Sequence, residues 1–148
     1  MTWKPHVTVA AIAENAGKFI MVEEIIEQTA VLNQPAGHLE PGESLTQAVS
    51  RETLEETGWH FRPRGLSGIY QWTHPANGTS FVRFCFVGDC YEQVANAKLD
   101  PDIQQVLWLS AEQILANPQR LRSPMVSRCL QDYKQGQHYP LSMLQDLP

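Results

Sequence analysis

A loop followed by a short acidic helix, within residues 35–58, constrains the fold of this chain more than any other stretch. Pro35, Gly37, Pro41 and Gly42 occur within eight residues, and such a density of proline and glycine indicates a loop. Apolar residues at helical spacing begin directly after it. The loop is therefore expected to lie close to the first turns of a helix.

The predicted helix runs from about Leu45 to Thr57. Ser44 or Glu43 can cap its first turn, and Gly58 suits the position that follows the last turn. Residues that recur at helical spacing are expected to face the core, and these are Leu45, Ala48, Val49 and Thr53.

Three glutamates of this helix, Glu52, Glu55 and Glu56, have the spacing that places side chains on one helical face. Without a compensating charge, the repulsion destabilises the helix by a few tenths of a kcal/mol per pair. Taken alone, the three glutamates indicate only a solvated acidic helix face. A hard divalent cation would relieve the repulsion, and oxygen ligands favour magnesium, calcium or manganese over zinc. Because Mg²⁺ usually completes its shell with phosphate oxygens, such a site would predict a phosphate-bearing substrate.

The residues around the trio favour the metal site. The stretch Gly37–Trp59 resembles the Nudix box, which reads glycine, five residues, glutamate, seven residues, Arg-Glu, an aliphatic, any residue, Glu-Glu, any residue, glycine and an aliphatic. Chance would produce the seven fixed residues at roughly 10⁻⁸ or less per start position. Thr53 and Trp59 depart from the pattern, both at packing positions. The matching residues are Gly37, Glu43, Arg51, Glu52, Glu55, Glu56 and Gly58.

Further elements follow from periodicity and turn residues. Strands are predicted at 6–13, 18–25, 31–32, 60–74, 79–91 and 103–109. A turn is expected at 75–78, a helix start at 110–113, a last helix at about 121–135 and an irregular tail at 139–148. This order over about 5–135 is similar to a Nudix α/β/α sandwich, an α/β fold with a mixed sheet and a loop-helix-loop metal motif. We expect one domain over 1–148, with its box at 37–59.

The resemblance also implies roles for individual residues. The helix trio would hold one to three Mg²⁺ or Mn²⁺ ions, with the Gly37 carbonyl and Glu40 as further metal-ligand candidates. Arg51 and Glu43 would form an ion pair that orients the ligands, although helix capping alone could explain both.

The general base has two sets of candidates. Some family members use a metal-bound box glutamate, which corresponds here to Glu55 or Glu56. Others use an acid from a loop before a late strand, which corresponds to Asp102, with Asp100 as its rival.

Residues for the organic part of the substrate are less defined by pattern. Trp72 and His74 end a long predicted strand, and an aromatic ring there could stack on a base for ~1–3 kcal/mol. The alternative is that Trp72 is core and His74 is a surface residue. Asn33 and Gln34, just before the box, could hydrogen-bond a ring edge, and Trp3 and His6 are weaker candidates.

The pattern is most similar to a small bacterial branch of the family, the NudJ-type phosphatases. That resemblance implies hydrolysis of nucleoside tri- and diphosphates with release of orthophosphate. It also implies action on pyrimidine pyrophosphates such as thiamine pyrophosphate and hydroxymethylpyrimidine pyrophosphate. Alternatives are an ADP-ribose or ADP-sugar pyrophosphatase, for which Pro75 is a weak sign, and a non-catalytic Nudix-fold nucleotide-binding module. RNA decapping is a third.

Charge and cysteine content limit the partners. A net charge of −5 offers no electrostatic footprint for nucleic acid, and no basic cluster suits an anionic membrane. The three cysteines have no CxxC spacing, which argues against a zinc site. No stretch approaches the ~18 apolar residues of a membrane span. A cytoplasmic monomer acting on a small phosphoanhydride is expected.

Overall fold

A computed structural model describes residues 2–148. Within them the chain forms strands and helices in the order β1 (His6–Asn15), β2 (Lys18–Ile26), β3 (Thr29–Asn33), β4 (Ala36–His38), α1 (Leu45–Thr57), β5 (Trp59–Thr73), β6 (Ser80–Gln93), β7 (Ile103–Ser110), α2 (Ala111–Leu115), α3 (Pro124–Lys134) and β8 (Tyr139–Pro140). Two 3₁₀ turns occupy Pro118–Arg120 and Leu141–Met143. None of the helices in this part of the chain is both long and apolar enough to cross a membrane.

The sheet is mixed, and β1 is its central strand. It pairs in parallel with β6 and in antiparallel with β4, and β6 continues through β5 to β8. On the other side β2 pairs with β3 and β7, while β1 and β2 are joined only beside their turn, where Glu14 faces Phe19. This arrangement confirms the predicted α/β sandwich with a mixed sheet.

Two apolar cores cover the two faces of the sheet. One joins α1 to alternate residues of β1 and β6, including Val9, Val49 and Phe86. The other joins α3 to the opposite residues of the same strands, including Ala10 and Cys85. Because successive side chains of a strand point to opposite faces, one apolar run serves both cores. Each fully buried large side chain contributes roughly 1.5–3 kcal/mol.

Helix α1 has the bounds that its sequence predicts. Ser44 is the N-cap: its hydroxyl accepts the backbone N–H of Gln47 at 3.1 Å, and the Gln47 side chain accepts the N–H of Ser44 at 2.8 Å. Gly58 ends the helix in the left-handed region, at φ 77°, and its N–H donates to the Leu54 carbonyl. The predicted inward residues Ala48, Val49 and Thr53 are fully buried.

Three predictions were wrong in detail, two of them because pairing at long range is invisible in a local pattern. The predicted loop at 35–42 contains β4, since Gly37 pairs with Val9. The tail is not irregular throughout, because Tyr139 pairs with Leu66. The last helix begins at Pro124 rather than near 121, since the Ser123 hydroxyl caps it.

Candidate metal centre and active site

Gly37 lies against the carboxylate of Glu52, where the free edge of β4 meets α1. A Cβ at position 37 would overlap the Glu52 carboxyl group, so the carboxylate holds this position only beside a glycine. The Glu52 side chain is 12% exposed, and its burial raises the pKa of this carboxyl above its ordinary value. The box glycine therefore admits a buried carboxylate beside its own backbone.

Glu56 is the most buried carboxylate of the trio. Its Oε1 accepts the backbone N–H of Ala36 at 2.9 Å, which ties α1 to the first residue of β4. Burial raises the pKa of Glu56 to about 9, and the negative charges of Glu24, Glu52 and Asp100 act in the same direction. A cation at this position would reverse that balance, because opposite charge favours the ionised carboxylate.

Arg51 holds Glu43 in the ion pair that the sequence predicts. Its Nε and Nη2 donate to the two carboxylate oxygens at 2.9 and 2.8 Å, a bidentate arrangement. These hydrogen bonds hold the pKa of Glu43 below its ordinary value. The Glu43 carboxylate also accepts the N–H of Glu40 at 2.8 Å, so the pair fastens the loop to the helix.

The same guanidinium also contacts two members of the trio. Arg51 Nη1 donates to Glu52 at 2.9 Å and to Glu55 at 3.1 Å, and Nη2 donates to the His38 carbonyl at 3.0 Å. Glu55 has a side chain that is 50% exposed, compared with 12% for Glu52, while Glu56 is buried. The positive charge of the Arg51 guanidinium thus offsets the repulsion between Glu52 and Glu55.

The donor set suits a hard divalent cation. Residues 2–148 contain no three carboxylate, imidazole or thiolate groups that already converge as a metal cage, and Glu52 and Glu55 are instead hydrogen-bonded to Arg51. The buried Glu52 and Glu56 nevertheless offer only oxygen, and the room beside Gly37 exists only because that residue lacks a side chain. Oxygen-only donors of this kind fit Mg²⁺ or Mn²⁺.

The loop before β7 is attached to α1 through Asp100. The N–H of Asp100 donates to the Glu55 carbonyl at 3.0 Å, and its charge reaches Glu56. Asp102 is exposed, and its N–H donates to the Asp100 carboxylate at 3.1 Å. The structure therefore brings Asp100 nearer to the trio than Asp102, whose role as base stays a prediction.

Glu24 and Arg122 form an ion pair near the site that the sequence analysis missed. Glu24 is 5% exposed, accepts from Arg122 and adds negative charge at Glu56. The pKa of His38 is lowered by burial, by His6 and by Arg122. Glu24 shares a strand face with the buried Val22, and a glutamate at such a position was the available signal.

The predicted aromatic residues lie together on the face of the sheet that α3 covers. Trp72 stacks on Phe81 with ring centroids 6.0 Å apart, and His74 lies 5.2 Å from Trp72. Phe81 also contacts His6 at 5.4 Å. Trp72 is half-buried and lines a cavity of about 610 Å³ between β5, α3 and the tail. It is therefore neither full core nor free surface; the exposed Trp3 has no aromatic partner within residues 2–148.

Asn33 and Gln34 are both buried, at 5% and 4% exposure. The Gln34 amide nitrogen donates to Ala11 and Cys85, and its oxygen accepts from Arg83 at 2.9 Å. Within the described residues the Asn33 Oδ1 has no hydrogen-bond partner. Gln34 thus anchors Arg83, a residue that the sequence analysis passed over although it interrupts an apolar strand.

Comparison with known proteins agrees with this geometry. The sequence model of the NUDIX domain family matches residues 4–128 of this chain. Phosphatase NudJ of Escherichia coli K12 is 44% identical over 97% of this chain and 93% of its own length. A NUDIX hydrolase from Nitrosomonas europaea is 49% identical, with a TM-score of 0.95 over 97% of this chain and 98% of its own. A MutT NUDIX hydrolase from Burkholderia pseudomallei shares the fold. It is 20% identical, with a TM-score of 0.74 over 88% of this chain and 98% of its own. The chain belongs to the Nudix family and is a Nudix hydrolase.

Proposed function

We propose that this enzyme hydrolyses nucleoside tri- and diphosphates with release of orthophosphate, and pyrimidine pyrophosphates such as thiamine pyrophosphate and hydroxymethylpyrimidine pyrophosphate. The observation that carries the proposal is the pair of buried carboxylates, Glu52 and Glu56, fixed against the backbone of Gly37 and Ala36. The resemblance over nearly the whole chain to a protein named Phosphatase NudJ supports the choice of substrates.

Nudix hydrolases generally use divalent cations, and we propose Mg²⁺, with Mn²⁺ able to replace it. The residues that would hold the ions are the Gly37 carbonyl, Glu40, Glu52, Glu55 and Glu56. When bound, the metal supplies an activated water and neutralises charge on the phosphates.

The protein's own residues orient these groups and accept the proton. Arg51 fixes Glu52 and Glu55 and fastens the loop through Glu43. Glu55 or Glu56 would accept the proton of the attacking water, or a loop acid would do so. Of the two loop acids, Asp100 is favoured over Asp102, because its backbone N–H binds the Glu55 carbonyl and its charge acts on Glu56.

The organic part of the substrate is proposed to bind where Trp72, His74, Asn33 and Gln34 lie. Trp72 offers a half-buried ring beside a cavity, and the orphaned Asn33 Oδ1 offers an acceptor. The enzyme would act as a monomer on small phosphoanhydrides, without a stable nucleic-acid partner. Cytoplasmic residence is part of the proposal, supported by three cysteines that are all free thiols.

A substrate panel in Mg²⁺ with product identification tests the proposal. We expect orthophosphate from a nucleoside triphosphate without added phosphatase, and activity on thiamine pyrophosphate. AMP with ribose phosphate from ADP-ribose, and no orthophosphate, would instead support the pyrophosphatase alternative. Nucleotide binding without turnover of any diphosphate would defeat the enzymatic proposal and favour a binding module.

A further inference from the structure

Arg83 is a buried cation at the centre of the sheet, without a carboxylate partner among residues 2–148. It is 5% exposed, its Nη1 donates to Gln34 at 2.9 Å, and its Nε has no partner. Burial of a charge is costly unless the group is paired and hydrogen-bonded. The hydrogen bonds of this guanidinium are therefore not all made, and its Nε–H is left to donate to a further acceptor.

Strand register places Arg83 in a row of side chains on the α3 face of the sheet. His38 on β4 pairs with Thr8 on β1, Thr8 with Arg83 on β6, and Arg83 with Tyr70 on β5. Residues at paired positions point to the same face. We call this set the inner row: His38, Thr8, Arg83 and Tyr70.

An aromatic row runs beside the inner row, two residues further along each strand. It consists of His6, Phe81 and Trp72, which are also register partners on the same face. The ring centroid of Phe81 lies 5.4 Å from that of His6 and 6.0 Å from that of Trp72. Tyr70, the register partner of Arg83 on β5, and Trp72, the partner of Phe81, line the cavity of about 610 Å³. Arg83 thus lies beside a surface on which a planar ring can stack.

The inner row begins at the metal centre. His38 follows Gly37 directly, and its carbonyl accepts from Arg51. Neighbouring strands are about 4.8 Å apart, so Arg83 lies two strand spacings, roughly 10 Å, from the edge where the carboxylates are. A diphosphate joined through a sugar or a methylene group to a ring can span that distance.

We propose that Arg83 is a specificity-determining residue, which donates a hydrogen bond to an acceptor atom on the heterocyclic ring of the substrate. The ring would stack along the aromatic row while its diphosphate reaches the carboxylates beside Gly37. The ligand class is a planar heterocycle with a carbonyl oxygen or ring nitrogen, linked to a diphosphate. This inference rests on the proposed function and deepens it, by assigning recognition of the ring to a residue outside the box.

Binding is measured by calorimetry, which does not depend on turnover. The ligands share ribose and phosphate: cytidine 5′-monophosphate, ribose 5-phosphate and a phenyl ribonucleotide whose ring has no acceptor. For the unmodified protein we expect cytidine monophosphate to bind about tenfold to hundredfold more tightly than the phenyl ribonucleotide, as for hydrogen bonds to charged groups. Equal affinity for these two ligands would overturn the proposal whatever any variant does.

Arg83→Lys keeps the charge but loses the planar donor group. We expect the preference for cytidine monophosphate over the phenyl ribonucleotide to collapse, while the affinity for ribose 5-phosphate stays within twofold. Arg64→Lys is the matched control, since Arg64 is exposed and pairs with Asp89. If Arg83→Lys keeps both its melting temperature and the preference for cytidine monophosphate over the phenyl ribonucleotide, Arg83 does not bind the ring. That result would overturn the proposal. Failure of the proposed function would appear separately, as absence of turnover.

Discussion

Arg51 holds Glu43 through two parallel hydrogen bonds, Nε to Oε2 at 2.9 Å and Nη2 to Oε1 at 2.8 Å. The remaining Nη1 donor group serves Glu52 and Glu55. A guanidinium has five donors in a fixed plane, and an ammonium group cannot reproduce this fork. The structure therefore assigns to one side chain both the attachment of the loop and the orientation of two carboxylates.

Replacement of Arg51 by lysine is predicted to lower kcat by about 10- to 100-fold, the usual effect of losing a group that orients metal ligands. The reason is that Glu52 and Glu55 lose their shared donor while the charge is kept. Steady-state kinetics in saturating Mg²⁺ measures it, with Arg64→Lys as the control, since Arg64 is an exposed partner of Asp89. Full activity of Arg51→Lys would show that bidentate geometry is dispensable.

Replacement of Gly37 by alanine is predicted to weaken Mg²⁺ binding at least about tenfold. The added methyl group would overlap the Glu52 carboxyl group, so the carboxylate or the strand must move. Calorimetric titration with Mg²⁺ measures the loss. Gly17→Ala is the control, because Gly17 has a positive φ of 80° in an open turn and costs stability without touching the site. Equal Mg²⁺ affinity in the two variants would contradict this account of the box glycine.

Replacement of Glu56 by glutamine is predicted to lower kcat on the order of 100-fold or more, because the most buried carboxylate of the trio loses its charge. The amide keeps the size of the side chain, and its oxygen can still accept the Ala36 N–H. Single-turnover and steady-state rates should both fall. Glu112→Gln, on the surface of α2, is the matched control. A near-normal kcat for Glu56→Gln would remove the basis of the proposed site.

The pH dependence of stability should report the same carboxyl group. In metal-free protein the pKa of Glu56 is raised to about 9 from an ordinary 4.5. The folded state therefore holds the proton more tightly, and the resulting stability is complete below pH 4.5 and declines as pH rises toward 9. The slope from one proton is about 1.4 kcal/mol per pH unit within that window.

Thermal or urea unfolding with chelator at pH 5, 7 and 9 measures this decline. The free energy of unfolding of the normal protein, relative to that of Glu56→Gln, should fall as pH rises from 5 to 9. Added Mg²⁺ should stabilise more at pH 9 than at pH 5, because the cation competes with the proton for the same oxygen atoms. A difference that is flat between pH 5 and 9 would contradict the buried, protonated state.

The box and its helix could be predicted closely because their signals are local. Ser44 and Gly58 mark the ends of α1 by capping chemistry, and the spacing of the fixed residues does not depend on the rest of the chain. Glu24 and Arg83 could not be assigned in this way. Their significance comes from pairing across strands, which brings residues tens of positions apart to one face, and a single sequence does not state its register.

The choice between the two loop acids is a last test, and the structure favours Asp100. Its N–H binds the Glu55 carbonyl at 3.0 Å and its charge acts on Glu56, whereas Asp102 is exposed. We therefore expect Asp100→Asn to lower kcat about 100-fold or more, as is usual for loss of a general base. Asp102→Asn should change kcat by no more than a few-fold. Melting temperatures must be compared as well, because the Asp100 carboxylate also accepts the Asp102 N–H.

The acidic limb of the kcat profile against pH separates a catalytic role from a structural one. Loss of a base removes or displaces that limb, while a loosened loop lowers kcat by the same factor at every pH. If Asp102→Asn removes the limb and Asp100→Asn leaves it in place, the base is the exposed acid. The loop would then have to bring Asp102 toward α1 when substrate binds.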